Sequence, residues 1–413
     1  MTTSPSETGA RRRNPLATLV RSALAVALVG MALTLSGTAA TAATTATLTV
    51  TSLAYGGDDA TPGDGVCLTS GGICTLRAAI QESNALAAGP GDEVLINFAG
   101  GLSGFIVGPD GNTTTNRMKT GVIESGYDHS GAYYHITGRT RIDFGDDVGF
   151  VQRWDEGTGF YIDGPDVTIQ NFNATGTNPP GTLGSRTATG VTGGETAIIV
   201  SGNGDGFTLE NGAIIESGNN RMERGIILQN GADDVTVRNV RFDDYENLGG
   251  AIRVSNNATV SNFLLDGIVM DNTNNEANYY GMQVPSSVTL NNFVVTNSTF
   301  NDWQGDQIFY LHGSTSNGGA FDDNPVDTVP RNRIRHLLDF EAATVSDFSI
   351  SNNLFDKTGA DRLIDMVSAE LDNVTIANNT FQNLRNVAPT NATVLNLIDG
   401  RHTEGTDVTI SNN

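Results

Sequence analysis

The stretch Val374-Thr375-Ile376-Ala377-Asn378 decides how this chain folds, because it is one copy of a phrase that keeps returning. The phrase reads Val167-Thr168-Ile169-Gln170-Asn171, Val235-Thr236-Val237-Arg238-Asn239, Phe348-Ser349-Ile350-Ser351-Asn352 and Val408-Thr409-Ile410-Ser411-Asn412, with weaker copies centred on Leu209, Leu265 and Val295. Asn stands two places after the central apolar residue in seven of the eight copies, and Gly267 is the exception. Ile214, Phe242, Met270, Phe300, Phe355 and Phe381 stand five places after it. The centres are separated by 40, 28, 28, 30, 55, 26 and 34 residues, a period in the high twenties with loop insertions.

This register predicts a solenoid. Val-x-Ile places two apolar side chains on one face of a strand with Thr or Ser on the other. Asn suits the bend that follows, because it tolerates the left-handed conformation and bonds locally. One coil cannot bury its own apolar face, so each must stack on the next at about 4.8 Å with like residues in columns. Stacked Asn side chains can then bond along the column. A second strand precedes the phrase by about ten residues in Ile226-Ile227-Leu228, Ile252-Arg253-Val254 and Ile364-Asp365-Met366. An antiparallel sandwich would leave the Asn register unexplained. The expected fold is all-β, a right-handed parallel β-helix with a short N-terminal capping helix.

The first 42 residues read as a secretory signal peptide. Arg11, Arg12, Arg13 and Arg21 precede an apolar run from Ala23 to Leu35, and Ala40-Thr41-Ala42 forms an A-x-A cleavage site. The whole chain carries a net charge of −23, and removal of this leader leaves 19 basic and 45 acidic residues, a balance of −26. Such a surface repels nucleic acid and anionic lipid. In an exported chain the two cysteines, Cys67 and Cys74, are expected to form a disulfide.

Residues 43–98 read as a cap and 99–413 as the β-helix. Thr75 can N-cap a helix that places Leu76, Ala79, Ile80 and Ser83 on one face, Gly89-Pro90-Gly91 ends it, and Val94–Phe98 follows as a first rung. The segment Gly63-Asp64-Gly65-Val66-Cys67, followed by Cys74-Thr75-Leu76-Arg77-Ala78-Ala79-Ile80-Gln81-Glu82-Ser83-Asn84, resembles the CSLREA-type N-terminal module of bacterial exported proteins. Thr75 replaces the usual Ser and Ala78 the usual Glu. The resemblance covers about residues 45 to 98 and implies secretion or surface display ahead of a pectin-lyase-like β-helix, without implying one activity. The last phrase stops at Asn413, before its inward apolar residue, so the β-helix is expected to continue in a longer parent chain.

Candidate chemistry gathers between Asn301 and Arg362. Trp303 lies between Asp302 and Asp306, and Ile308-Phe309-Tyr310-Leu311 ends at His312. Gly313 to Asn332 reads as a long insertion that fills the 55-residue gap and forms a binding lip. Counting back eleven places from Ile350 and Ile376 stacks Asp339 on Asp365, whereas counting forward from the previous centre aligns Asp365 with Tyr310. Two stacked carboxylates repel, so either one is protonated, as glycoside cleavage requires, or a cation such as Ca²⁺ sits between them. The candidate catalytic residues are Asp339, Asp365 and Asp306. The candidate binding residues are Trp303, Tyr310, Arg335, Arg362 and His312, the arginines for a sugar carboxylate. Asp58, Asp59 and Asp64 lack the spacing of a dedicated calcium loop.

No nucleotide, zinc or nucleophile-elbow motif occurs. The preferred reading is a secreted or surface-displayed, non-catalytic β-helix that contacts polysaccharide or cell-surface glycan. The alternative is a polysaccharide lyase or glycoside hydrolase acting on an extended, uronic-acid-bearing polymer.

Overall fold

Successive copies of the phrase pair in parallel and in register. Thr208–Glu210 lies beside Thr236–Arg238, which lies beside Leu264–Asp266, and Ser349–Ser351 lies beside Thr375–Ala377 and then Thr409–Ser411. The computed structural model describes residues 44–87, 92–107, 117–119, 122–124, 127–129, 131–145, 147–152, 158–172, 182–185, 196–216, 224–243, 250–271, 280–301, 307–327, 336–356, 362–383, 396–401 and 403–413, all within one compact unit, Thr44–Asn413. The leader and the expected helix stop at Gly89-Pro90-Gly91 lie outside the described residues. Among the described strands, 23 join into one long sheet and 10 into a second, so the chain is a parallel β-helix. The described exception is the antiparallel pair Val122–Glu124 and Tyr127–His129.

The corners explain the asparagines. Asn171, Asn211, Asn239, Asn297, Asn352, Asn378 and Asn412 all have φ between 51° and 58°. Gly267 takes the same corner at φ 64°, where an added Cβ would lie 2.7 Å from Asn239 Oδ1. A second left-handed corner recurs five residues earlier, at Asp234, Asn262, Asn292, Asp347, Asn373 and Asp407. Left-handed backbone costs most residues about 1–2 kcal/mol, so Asn, Asp and Gly fix where the chain bends, in places within a strand such as Thr208–Glu216.

Among the described residues, the 55-residue gap holds a further coil where an insertion was expected. Thr315–Asp322 and Pro325–Asp327 are strands, with Phe321 stacked between Val295 and Ile350. Its phrase, Gly319-Ala320-Phe321-Asp322-Asp323, is disguised by packing. Gly319 lies between Phe293 and Phe348, and a Cβ there would meet Phe293 O at 2.2 Å and the Phe348 ring at 2.9 Å. The large ring one coil later takes the volume that Val or Phe fills elsewhere.

The continuous amide ladder also differs from expectation. Corner asparagines bond in pieces: Asn211 to Asn171 at 3.4 Å and Asn239 to Asn211 at 3.2 Å. One residue later stands a ladder, buried from Asn324 to Asn379, in which Asn324 donates to Asn353 at 3.1 Å, Asn353 to Asn379 at 2.9 Å and Asn379 to Asn413 at 2.8 Å. Each of these amides also donates to a backbone carbonyl, as Asn353 does to Phe321 O at 2.9 Å. Asn324, Asn353 and Asn379 thereby satisfy the inside of the bend, which is closed to water.

The helix Leu76–Leu86 packs against the first coils, and Thr75 Oγ1 accepts from Ala78 N at 3.2 Å. Cys67 and Cys74 form the expected disulfide. The strand Glu93–Phe98 is preceded by another, Thr44–Val50, which pairs with it in parallel, so the helix lies in the connection between two rungs. Ser83 and Thr140 hydroxyls bond at 2.6 Å, and Asn84 donates to His135 O at 2.8 Å. Fully buried Glu82 accepts from the N–H groups of Gly63 and Gly65, each at 2.5 Å.

Three substitutions separate the buried groups from the exposed corner. Asn353→Leu strands the Asn324 N–H in the core and should cost about 1–3 kcal/mol for each group left unpaired, read by chemical denaturation. Asn352→Ala, at the exposed corner, should cost only about 1–2 kcal/mol. Burial outweighs the two backbone bonds and raises the Glu82 carboxyl above its ordinary value of 4.5. That contribution is present below the ordinary value and lost as pH rises through the raised one. The stability gap between the unaltered chain and Glu82→Gln should therefore narrow from pH 4 to pH 7; a widening gap would show the opposite sign.

Candidate functional site

In the ten-stranded sheet the residues Tyr161, Ile199, Ile227, Arg253, Gln283, Tyr310, Asp339, Asp365 and Asp399 form one column, each paired with the next. Asp339 lies between core residues Leu338 and Phe340, and Asp365 between Ile364 and Met366, so alternation turns both carboxylates to the outer face. Both countings made from the sequence therefore meet in one column, with Tyr310 one coil before Asp339 and Asp365 one coil after it.

The carboxylates face outward yet are closed off. Asp339 is 2%, Asp365 0% and Asp399 4% exposed. Donors three residues upstream alternate with them along the sheet. Gln307 Nε2 donates to Asp339 Oδ2 at 3.2 Å. His336 Nδ1 stands 3.1 Å from Asp339 Oδ2 and 3.0 Å from Asp365 Oδ2. Arg362 reaches Asp365 at 2.5 Å and Asp399 at 3.0 Å, and Arg401 reaches Asp399 at 2.9 Å. Backbone N–H groups of Glu341, Val367 and Arg401 cap the remaining oxygens at 2.9, 3.1 and 3.3 Å. Repulsion between stacked acids is thus offset by interleaved donors. Burial raises the Asp399 carboxyl, but its bonds from Arg401 and the charge of Arg362 bring it below its ordinary value.

Five predicted residues come together here: Asp339, Asp365, Arg362, Tyr310 and His312. The Tyr310 ring stacks on His312 at 5.7 Å between centroids and meets Tyr280 at 4.8 Å with the rings tilted by 32°. Burial, followed by the charges of Asp339 and Glu341, raises the Tyr310 phenol. His312 Nδ1 is 3.9 Å from the Glu341 carboxylate. Trp303, Asp306 and Arg335 lie outside the described residues. Sequence reading missed Gln307, His336, Glu341, Asp399 and Arg401. Their signal was a repeated triplet, Leu337-Leu338-Asp339, Leu363-Ile364-Asp365 and Leu397-Ile398-Asp399.

His336, Asp339, Glu341 and Asp365 each bring one donor atom within 4.8 Å of the others. This set fits Ca²⁺ poorly: calcium takes six to eight oxygens, whereas here a nitrogen occupies the centre and Arg362 already holds Asp365 Oδ2. A second network stands at the other end of the sheet. Asp163 receives His135 and Lys119 at 3.0 Å and Ser201 at 2.6 Å. Its burial is outweighed by these bonds, which hold its carboxyl far below the usual range.

The long sheet carries a different feature. Thr259, Thr289, Thr315, Thr344, Glu370 and Glu404 form one column, and Ser261, Asn291, Asn317, Ser346, Asp372 and Thr406 form another two residues on. Asn317 donates to Asn291 at 3.1 Å and Ser346 to Asn317 at 3.3 Å. Thr344, Ser346, Glu370, Asp372, Glu404 and Thr406 line an open groove of about 520 Å³.

No family model matches the chain, and no curated protein matches it in sequence. Among solved structures it is similar to the catalytic unit of a thermostable GH87 α-1,3-glucanase from Streptomyces thermodiastaticus, at 14% identity and a TM-score of 0.35, over 80% of this chain and 66% of that one. It is also similar to PfbA, a surface adhesin of Streptococcus pneumoniae, at 12% identity and a TM-score of 0.32, over 78% of this chain and 89% of that one. Likenesses of this order add nothing on function to what the geometry gives.

Removing one member of the buried ladder should be severe. Asp365→Ala leaves Arg362 and His336 facing a void and should cost about 3–5 kcal/mol in chemical denaturation. Glu404→Ala, exposed on the other sheet, should stay within about 0.5 kcal/mol of the unaltered chain.

Proposed function

We propose that this chain is an exported, non-catalytic β-helix that binds a neutral glycan along the outer face of its long sheet. The observation that supports it is the pair of outward polar columns, which repeat hydroxyl, amide and carboxylate groups coil after coil and run into the groove between Thr344 and Thr406. A polymer of hydroxyl-rich units meets matching donors and acceptors at each rung, and Glu370, Asp372 and Glu404 can each accept from sugar hydroxyls. The same acids, on a chain of net charge −23, repel a uronic polymer. The CSLREA-like segment and the leader supply the reason to place the protein outside the cell.

The alternative is cleavage of a polysaccharide by Asp339 and Asp365, with Asp306 nearby in sequence. In its favour, His336 and Arg362 contact the carboxylates; against it, both acids are buried and engaged by donors from neighbouring rungs. A general acid or base must reach its proton.

Depletion binding to insoluble neutral and uronic polysaccharides separates the readings. Binding is expected to the neutral polymer alone, weakened about tenfold (about 1.4 kcal/mol) in Glu370→Ala/Asp372→Ala. New reducing ends or unsaturated products, abolished by Asp365→Asn, would replace this proposal with the enzymatic one. Binding untouched by the groove variant would remove the groove from it.

A further inference from the structure

We infer that the outer face of the ten-stranded sheet binds an amino sugar carrying a free, charged amine, with the sugar ring packed on Tyr280, Tyr310 and His312 and the ammonium on Glu341. The inference stands apart from the groove on the long sheet and rests on three observations.

The first is an aromatic strip. The Tyr280 and Tyr310 rings meet across adjacent coils at 4.8 Å between centroids, and the Tyr310 and His312 rings lie parallel to within 6° at 5.7 Å. Phe309 and Leu311 turn into the core, so alternation turns Tyr310 outward. All three rings are part-exposed, the His312 side chain to 38%. Aromatic faces carry negative charge density, and the weakly positive C–H face of a pyranose packs on them.

The second is charge. The Glu341 side chain is 37% exposed, and its carboxylate lies 3.9 Å from His312 Nδ1. Among the described residues no lysine or arginine forms an ion pair with it; Arg362 and Arg401 are held by Asp365 and Asp399. Burial, then the charges of Asp339 and Glu341, raise the Tyr310 phenol, so the strip sits in a negative field. A charged amine is drawn to the carboxylate and to the ring faces alike. A uronic sugar would be repelled.

The third is a polar rim. Gln283 stands one coil before Tyr310 in the same column. Its Oε1 accepts from Arg253 Nη1 at 3.0 Å, and its amide N–H groups can donate to a sugar hydroxyl. Glu341 can accept from a hydroxyl as well as from an amine. These groups favour a sugar over a lysine side chain, whose stem offers them no hydroxyl.

The test is calorimetric titration of the full chain, at a mildly acid pH where the amines are charged, with a glucosamine trimer. Separate arms use its N-acetylated counterpart and trilysine. The glucosamine trimer should bind, and the other two should bind at least about tenfold more weakly. Tyr310→Ala and Glu341→Gln should each weaken binding about tenfold, whereas Tyr310→Phe and the groove variant Glu370→Ala/Asp372→Ala should retain most of it. Tyr310→Ala leaves the net charge unchanged, so its effect separates a site from the general attraction of cations to an acidic chain. Circular dichroism checks that each variant is folded. Absence of glucosamine-trimer binding to the unaltered chain overturns the inference. So does equally tight binding of the N-acetylated trimer or of trilysine, binding unchanged in both Tyr310→Ala and Glu341→Gln, or loss of binding in the groove variant alone.

Discussion

The left-handed corner two residues after each central apolar side chain is the constraint on which the structure depends. Asn, Asp or Gly occupies that corner in every described coil that contains it, from Asn171 through Gly267 and Asp323 to Asn412. Any other residue type strains the backbone there. Because the corner is fixed in sequence, the strand before it is fixed in register, and parallel pairing carries that register from coil to coil. Columns of identical environment follow. The core aromatics, the buried amides and the carboxylate ladder are all consequences of one repeated bend.

The fold was legible because alternation and corner chemistry coincide in the same five residues. One coil escaped notice where two principles competed: Gly319 yields its volume to Phe348, so the phrase around Phe321 loses its first apolar residue and shows aspartates at its corner. The inner amide ladder was visible as doubled asparagines, Asn352-Asn353, Asn378-Asn379 and Asn412-Asn413, yet the first of each pair accounted for the bend and hid the second. The stacking of Asp339 on Asp365 could be counted from the centres. Their burial could not, because it depends on His336 and Arg362, which sit three residues upstream where strand alternation would send them to the other face.

Electrostatics in the ladder differ from those of an isolated acid pair. Each acid shares a donor with the next coil, so the cost of desolvating a charge is spread over several contacts. Outer-face position and solvent access are separate properties in such a solenoid. The freely accessible polar surface is on the other sheet, where Thr, Asn and Ser columns end in acids around an open groove.

The placing of His336 and Arg362 three residues before Asp339 and Asp365 has a consequence for how such a protein can change length. His336 travels with Asp339, and Arg362 with Asp365, on the same short strand. A tandem duplication or deletion of one such turn would therefore copy or remove a donor together with the acid that receives it. The number of turns can drift over evolutionary time without stranding a buried ion, which makes the turn itself the unit of inheritance.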